Sequence, residues 1–169
     1  MATELHVRTA RPGDLTEVDA LLARSYPALL KGHYPPSVLV TAIPLISKAQ
    51  PRLLASGTYF VVLNAEGAIV GAGGWTSVAP GGGRKLDAST GHIRHVVTDH
   101  RETRRGIGST LMARILESAK AAGIRRLDCY STLMAVPFYA ASGFEEVEAV
   151  SLELRPGIEF PAVLMRRDL

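Results

Sequence analysis

The segment Thr103-Arg-Arg-Gly-Ile-Gly-Ser-Thr-Leu-Met112 decides the fold of this chain. Its arginines and glycines stand directly before a run in which apolar residues recur every four positions, which predicts that the segment opens a helix. The first turn of a helix presents unpaired backbone N–H groups and a partial positive charge. The segment therefore predicts a binding site for a phosphate group. Two glycines that only start a helix tightly against a strand remain the structural alternative.

The segment differs from two well-known phosphate-binding motifs. No Gly-x-x-x-x-Gly-Lys-Ser/Thr sequence occurs in the chain, which argues against a P-loop nucleotidase. Gly106-Ile-Gly108 also lacks the third glycine of the dinucleotide fingerprint, because Leu111 stands at that position. We therefore expect a phosphate compound of another kind.

Length and composition indicate one globular domain over residues 1–169, since 47% of the residues are hydrophobic. The net charge is +3, and the 19 lysines and arginines are spread along the chain rather than clustered, so we expect no nucleic-acid partner. The single cysteine, Cys129, has no partner for an internal disulfide, and the first residues show no apolar run typical of a leader or a membrane span. We expect a cytoplasmic protein without membrane association.

Apolar periodicity predicts a mixed α/β (α+β) chain. A short strand precedes Asp14, which we expect to be the N-cap of the first helix, and Pro44 should kink or divide the second helix. Gly-rich residues 79–91 predict an irregular connection. The remaining predictions are a hairpin over 58–63 and 68–75, strands at 91–98, 124–130, 145–154 and 160–166, and helices from Ile107 to Gly123 and from Met134 to Ser142.

Two signature regions together resemble the GNAT superfamily of N-acetyltransferases. The first is Arg104-Arg-Gly-Ile-Gly108 after a strand and before an apolar-faced helix, and the second is Pro137-Phe-Tyr-Ala-Ala-Ser-Gly-Phe144. They resemble the family's pyrophosphate loop, Gln/Arg-x-x-Gly-x-Gly/Ala, and its Phe-Tyr-x-x-x-Gly-Phe element. Thr103 departs from the pattern, since the family commonly has Gln or Arg there. The order of strands and turns fits the family over nearly the whole chain.

This resemblance implies a single GNAT-like domain with a central, mixed but mostly antiparallel twisted sheet of about six to seven strands, flanked by helices on both faces. It also implies acetyl-CoA as the cosubstrate. In the family, pantetheine amides pair with a strand and the pyrophosphate rests on the loop that opens the helix. On this chain these roles fall to Val96, Val97, Thr98, Arg104, Arg105, Gly106, Ile107, Gly108 and Ser109.

The resemblance assigns Tyr139 as the general acid, in the sequence Phe138-Tyr139-Ala140. Direct transfer of an acetyl group to an amine expels a thiolate, which a nearby acid can protonate. A thiol has a pKa of about 8.5 and a tyrosine of about 10, so the proton transfer is uphill by only about 2 kcal/mol. The structural alternative is that Tyr139 packs in the core with a satisfied hydroxyl.

A general base is also useful, because a primary amine with a pKa of about 10.4 is charged at neutral pH. His92 lies at the strand position where the family carries such a base, and a histidine pKa of about 6.5 suits that task. Strand alternation places His92 with Arg94 on one face, and His95 with Ile93 and Val97 on the other. A structural role for His92, a base at His95 or His33, or a carboxylate acting through water remain alternatives.

The predicted function is direct acetyl transfer from acetyl-CoA to an amine-bearing acceptor. A catalytically inactive CoA-binding domain with a regulatory or sensing role is the alternative, and a homodimer is open because dimers occur in the family. We expect no acetyl-cysteine at Cys129, and no His/Cys spacing indicates a metal site. Arg94, Arg84 and Lys85 are candidates for attracting a carboxylate on the acceptor.

Overall fold

Seven strands form one sheet in the structure, a computed structural model that describes residues 4–80, 87–102 and 105–169. Thr103, Arg104, Arg84 and Lys85 lie outside the described residues. The strands are β1 (His6–Thr9), β2 (Tyr59–Leu63), β3 (Ile69–Thr76), β4 (Thr90–Thr98), β5 (Arg126–Ser131), β6 (Glu145–Arg155) and β7 (Ile158–Asp168). The helices are α1 (Leu15–Leu30), α2 (Pro36–Ile46), α3 (Pro51–Leu54), α4 (Ile107–Ala121) and α5 (Val136–Ala141).

The strand order is β1-β2-β3-β4-β5-β7-β6, and β4 with β5 is the one parallel pair of this sheet. That pair is joined through α4, as a parallel connection requires a crossover. The predicted mixed and mostly antiparallel sheet is confirmed, and so is the hairpin, which the structure places at β2 and β3. Short α3 is the one helix that the apolar pattern did not predict.

Helices cover both faces of the sheet, and each face has its own apolar cluster. Helices α1, α2 and α3 pack on one side, where alternate residues such as Tyr59, Val61 and Val97 are buried. Helices α4 and α5 pack on the other side, against Phe60 and Ile93 among others. Among the residues that the structure describes, no helix combines the length and the apolar character needed to cross a membrane.

Asp14 directly precedes α1, but its side chain makes no capping bond to that helix. Its carboxylate accepts a hydrogen bond from the Arg11 backbone N–H at 2.8 Å and pairs with the Arg8 guanidinium, also at 2.8 Å. The Arg8 partner lowers the pKa of Asp14. The predicted N-cap therefore holds β1 against the start of α1 instead of capping it.

Helix α2 runs through Pro44 and ends two residues later, at Ile46, so the expected division of this helix was wrong. A proline removes the N–H that would bond to the carbonyl four residues earlier, here that of Val40. Val40 is 73% exposed, so water can bond that carbonyl instead. The position of Pro44 in the last exposed turn explains why the helix tolerates it.

Candidate active site

Strands β4 and β5 separate after a short paired stretch. The parallel register runs from Thr90 opposite Arg126 to His92 opposite Asp128. Past His92, β4 continues to Thr98, whereas β5 pairs with β7 along its whole length. The edge of β4 beyond His92 is therefore not paired with β5, and the two strands form a fork.

An extra residue in β4 bends the strand at this fork. Ala72 of β3 pairs with Val97 and Gly74 pairs with Arg94, so two steps along β3 correspond to three along β4. His95 lies in this bulge with φ at 53°, in the left-handed region that few non-glycine residues adopt. Because a β-bulge bends its strand and increases the local twist, it favours the separation of β4 from β5.

A cleft of about 1030 Å³ opens at the fork. Side chains from β4, β5, α4 and α5 line one part of it, and residues of α1, α2, β6 and β7 line the rest. Except for Arg105, every predicted site residue that the structure describes lines this cleft: His92, Val96, Val97, Thr98, Gly106, Ile107, Gly108, Ser109 and Tyr139.

The first turn of α4 lines this cleft. Gly106 precedes the helix with φ at 76°, and no atom lies within 4 Å of where its Cβ would be, so conformation rather than crowding favours glycine there. Among the described residues, no side chain caps the helix. The N–H of Thr110 bonds to the Gly106 carbonyl at 2.9 Å. The N–H groups of Ile107, Gly108 and Ser109 are therefore the orphan donors of the first turn.

Gly108 has a different reason to be glycine. A Cβ at this position would lie 2.7 Å from Cε1 of Phe138, closer than two carbon atoms can approach without one of them moving. Helix α5 thus packs directly against the first turn of α4. The structural alternative for this glycine, a tight contact at the helix start, is found here with α5 as the partner rather than a strand.

Arg105 lies outside the lining of the cleft. Its side chain is 54% exposed and pairs with Glu102 at 3.1 Å. Glu102 itself lines the cleft, so the charge of Arg105 is partly neutralised at the rim. Arg104, the other predicted arginine of the loop, lies outside the described residues.

Tyr139 is buried on the α4 side of the fork, with 6% of its surface exposed. Its ring packs edge-on against Phe138 and Phe144, with centroid distances of 5.2 and 5.5 Å. Burial, and to a smaller extent the neighbouring Cys129, raises the pKa of Tyr139 well above that of a free tyrosine. The phenol therefore stays protonated across the neutral range, and transfer of its proton to a thiolate costs more than it would from a free tyrosine.

His92 is buried at the point where β4 and β5 separate, and its ring lies 4.7 Å from that of Tyr130. Its Nδ1 is 2.8 Å from the Ile93 carbonyl, which can only accept, so Nδ1 carries the proton. Nε2 is itself buried, has no hydrogen-bond partner among the described residues and holds a lone pair. Burial lowers the pKa of His92, so the ring is neutral at neutral pH. A neutral imidazole with a free lone pair is the form that a general base requires.

The bulge changes the predicted position of His95. Alternation placed His95 with Ile93, but its Nε2 lies 2.6 Å from the Ile46 carbonyl and its ring lies 6.0 Å from that of Tyr26, on the α1 and α2 face. Ile93 belongs to the cluster on the opposite face, so this part of the alternation was wrong. His95 still lines the cleft, whereas the exposed His33 does not.

Cys129 is buried in β5 with 1% of its surface exposed. Burial raises the pKa of its thiol to about 12. Because the thiolate is the nucleophilic form, a thiol with so high a pKa is a poor nucleophile at neutral pH.

Sequence reasoning missed two side chains of this cleft. Tyr130 follows Asp128 by two residues on β5, so it shares the face of the residue opposite His92, but this was visible only once the strand register was known. Gln50 lies between α2 and α3, where no periodic pattern marks it, and its Oε1 is 3.4 Å from the Arg94 guanidinium.

Comparison with solved structures finds the same fold in full-length matches. An N-acetyltransferase, PaiA, from Thermoplasma acidophilum in complex with coenzyme A has a TM-score of 0.73 at 15% identity, over 98% of this chain and 99% of that one. A GCN5-related N-acetyltransferase from Rhodopseudomonas palustris has a TM-score of 0.76 at 19% identity, over 100% and 99% of the two chains. At such identities the likeness concerns the fold.

Comparison by sequence gives the family. A search of curated proteins finds no match. The family model described as "Acetyltransferase (GNAT) domain" matches residues 38–162, which include both signature regions and most of the cleft. The resemblance drawn from those two regions is therefore confirmed, and the chain belongs to the GNAT family of acetyltransferases.

Proposed function

We propose that the chain transfers the acetyl group of acetyl-CoA directly to the nitrogen of a primary amine. One observation carries the proposal. A single cleft at the fork of β4 and β5 reaches the orphan N–H groups of α4 and also the buried pair His92 and Tyr139. The cofactor can thus bind on one side of the groups that would catalyse the transfer, with the acceptor on the other.

Acetyl-CoA is the cosubstrate of GNAT acetyltransferases. In our proposal its pantetheine arm lies along β4 and bonds to the backbone of Val96, Val97 and Thr98. The support is that the pairing of β4 with β5 ends at His92, so this edge of the strand has backbone groups to offer. An extended ligand with amide groups can add to such an edge as an extra strand does.

The pyrophosphate of acetyl-CoA, in this proposal, lies at the N-terminus of α4. Gly106 to Ser109 line the cleft there, and their orphan N–H groups with the helix dipole attract an anion. Arg104 and Arg105 stay predicted contributors of positive charge. The Glu102 partner of Arg105 would have to release it for direct contact with a phosphate.

His92 acts as the general base in the proposed reaction. The amine nitrogen attacks the acetyl carbonyl carbon, an N–C bond forms, and the nitrogen loses a proton to Nε2 of His92. The support is the tautomer fixed by the Ile93 carbonyl, which leaves the Nε2 lone pair free. Its lowered pKa keeps that lone pair available at neutral pH.

Tyr139 acts as the general acid. When the C–S bond breaks, the sulfur takes the hydroxyl proton of Tyr139, and N-acetylated amine and free CoA leave. Tyr139 and His92 line the same cleft. The pKa of about 12 at Cys129 supports direct transfer rather than an acetyl-cysteine intermediate.

The test is acetyl-CoA turnover with a panel of primary amines, followed by thiol release and by mass of the product, in the wild type and in Tyr139→Phe. We expect kcat to fall by about 100-fold or more in the variant, as for loss of a general acid, with the Kd for acetyl-CoA nearly unchanged. Tyr34→Phe is the matched control. Its hydroxyl is used within the fold, donating to the Pro161 carbonyl at 2.7 Å and accepting from the Leu133 N–H at 2.9 Å.

Two results would contradict the proposal. An unchanged kcat in Tyr139→Phe removes the acid from the mechanism. Tight binding of acetyl-CoA without CoA release for any amine would favour the alternative of an inactive CoA-binding domain.

A further inference from the structure

Arg94 lies partly buried in the wall of the cleft, and all of its partners are neutral. Its Nη1 donates to the Thr76 hydroxyl at 3.0 Å and to the Val78 carbonyl at 3.2 Å. Its Nη2 lies 3.4 Å from the side-chain carbonyl of Gln50. The guanidinium is therefore held in place by dipoles, without a counter-charge.

No carboxylate of the chain pairs with Arg94. None of the ion pairs among the described residues includes it. All 16 aspartates and glutamates of the sequence fall within the described residues, so no further acidic side chain remains. Of the two carboxylates that line the cleft, Glu102 pairs with Arg105 and Glu153 is exposed.

A partly desolvated cation without an anion is unfavourable, and protein structures usually pair such groups. Burial lowers the pKa of Arg94, and no nearby carboxylate counteracts this effect. The Arg94 guanidinium is planar, is held in place and lacks an anionic partner. It therefore has the properties of a group that binds a carboxylate through two parallel hydrogen bonds.

We infer that Arg94 binds a carboxylate of the acceptor, so that the acceptor is a small molecule with both a primary amine and a carboxylate. The inference rests on the proposed function, because it names the acceptor class of the same cleft.

The position of the guanidinium suggests how far apart the two acceptor groups are. His92 and Arg94 are two residues apart on one strand face, which separates their Cα atoms by about 7 Å. The guanidinium is bonded to Thr76, the residue opposite His92 on β3. A carboxylate on Arg94 would therefore lie close to an amine at His92 Nε2. An amine and a carboxylate a few carbon atoms apart, as in amino acids, match this arrangement.

The experiment compares substrates that differ by the carboxylate alone. We would measure kcat/KM for L-leucine and isoamylamine, L-phenylalanine and phenethylamine, and L-lysine and cadaverine, in the wild type and in Arg94→Gln. We expect at least one pair to favour its carboxylated member by about 10-fold or more, as for a charge-assisted hydrogen bond. In Arg94→Gln that ratio should fall towards one, chiefly through KM. The two members of a pair differ in the pKa of their amine. Because each pair is measured in both proteins, comparing its ratio between the wild type and Arg94→Gln removes that difference.

Arg155→Gln is the matched control, since Arg155 also lines the cleft but is exposed, and its ratio should remain that of the wild type. A wild-type ratio of one or below for every pair, or the same ratio in Arg94→Gln, overturns the inference.

A separate readout distinguishes this inference from the proposed function. If no amine is acetylated, the proposed function fails, and the N-acetyl derivatives of the same three amino acids are titrated into the CoA-saturated protein by calorimetry. Binding that is lost in Arg94→Gln supports the carboxylate site on its own. Absence of binding in the wild type overturns it.

Discussion

Two charged residues of the β4 region, Asp99 and Arg94, are stabilised in different ways. Asp99, directly after the strand, has 1% of its side chain exposed and pairs with Arg24 at 3.1 Å and Arg101 at 2.9 Å. Arg94, within the strand, has only neutral partners. Asp99 leads into the loop that opens α4, the proposed cofactor site, whereas Arg94 lies in the proposed acceptor site.

This contrast separates a structural charge from a binding one. A charge whose partners are supplied by the chain holds its surroundings in place and contributes to folding. A charge whose partner is missing costs stability and gains it back only when a ligand arrives. Substitution of Asp99 should therefore change mainly stability, and substitution of Arg94 should change mainly substrate choice.

The largest expected effect is on catalysis, at His92, where the pairing of β4 with β5 ends. His92→Gln should lower kcat by about 100- to 10,000-fold, the range for loss of a general base. Because burial lowers the pKa of His92, the wild type should keep its kcat to below pH 6.5, and the acid limb should be absent from the residual activity of the variant. A pH series of kcat checks both points. His33→Gln, an exposed histidine outside the cleft, is the control and should retain wild-type rates.

The second effect is expected at Asp99, whose charge is paired within the chain. Asp99→Asn should reduce the free energy of unfolding by about 2 to 3 kcal/mol, because charge-assisted hydrogen bonds to a buried carboxylate are lost. Glu117→Gln breaks the exposed ion pair with Arg114 and should change the free energy of unfolding by less than about 0.5 kcal/mol. Urea denaturation at pH 7 measures both. Equal losses in the two variants would mean that Asp99 is no more structural than a surface ion pair.

Lowering the pH should reduce the difference in free energy of unfolding between the wild type and Asp99→Asn. Arg101 holds the pKa of Asp99 well below its usual value, so the carboxylate stabilises the fold above the unfolded pKa of about 3.9. That contribution is lost as the pH falls from about 4 towards the folded pKa. Urea denaturation at pH 7, 4 and 3 should therefore show that the difference in free energy of unfolding between the two proteins decreases only below about pH 4. A difference that is constant with pH would contradict the ion-pair explanation.

A smaller effect is expected at Gly106, in the loop beyond Asp99. Alanine at φ of 76° costs about 1 to 2 kcal/mol, and the open space around this position means that no clash is added. Acetyl-CoA affinity should fall by roughly 5- to 10-fold, which calorimetric titration would show. Gly57→Ala is the control, since it has a similar φ of 82° and open surroundings but lies away from the cleft. Equal acetyl-CoA affinity in the two variants would argue against a pyrophosphate site at the N-terminus of α4.

The smallest effect on stability is expected at Arg94, whose hydrogen-bond partners are all neutral. Arg94→Met removes a desolvated charge together with its hydrogen bonds to neutral groups, and these contributions oppose each other. We expect the free energy of unfolding to change by less than about 1 kcal/mol in either direction. A loss as large as that of Asp99→Asn would show that Arg94 is structural and would remove the contrast.

The succession of strands and helices along the chain could be predicted because apolar periodicity, turn residues and two motifs all agree, and the helical layers on both faces followed from the family resemblance. The bulge in β4 could not be predicted, since no glycine marks it and His95 occupies the left-handed conformation. Its consequence is that alternation fails after Arg94 and that His95 changes face. Asp14 occupies the predicted N-cap position, but its side chain pairs with Arg8 instead of capping the helix. Pro44 does not divide α2, since the carbonyl that loses its partner belongs to the exposed Val40.

Most of the candidate site was readable because its backbone donors and Tyr139 belong to local motifs. The neutral surroundings of Arg94 were not, because they come from the end of β3 and from Gln50, which are distant in the sequence. Tyr130 likewise needs the register of β5 with β4. When the side chains of a site come from separate elements, no periodic pattern within a single element predicts that they meet.

The contact of Phe138 with Gly108 has a consequence for how this chain can evolve. The two positions belong to different signature regions, yet the ring occupies the place of any side chain at 108. A change from Gly108 to alanine should be harmful alone and tolerated beside a smaller residue at 138. In this chain the two motifs are therefore epistatic through that one contact.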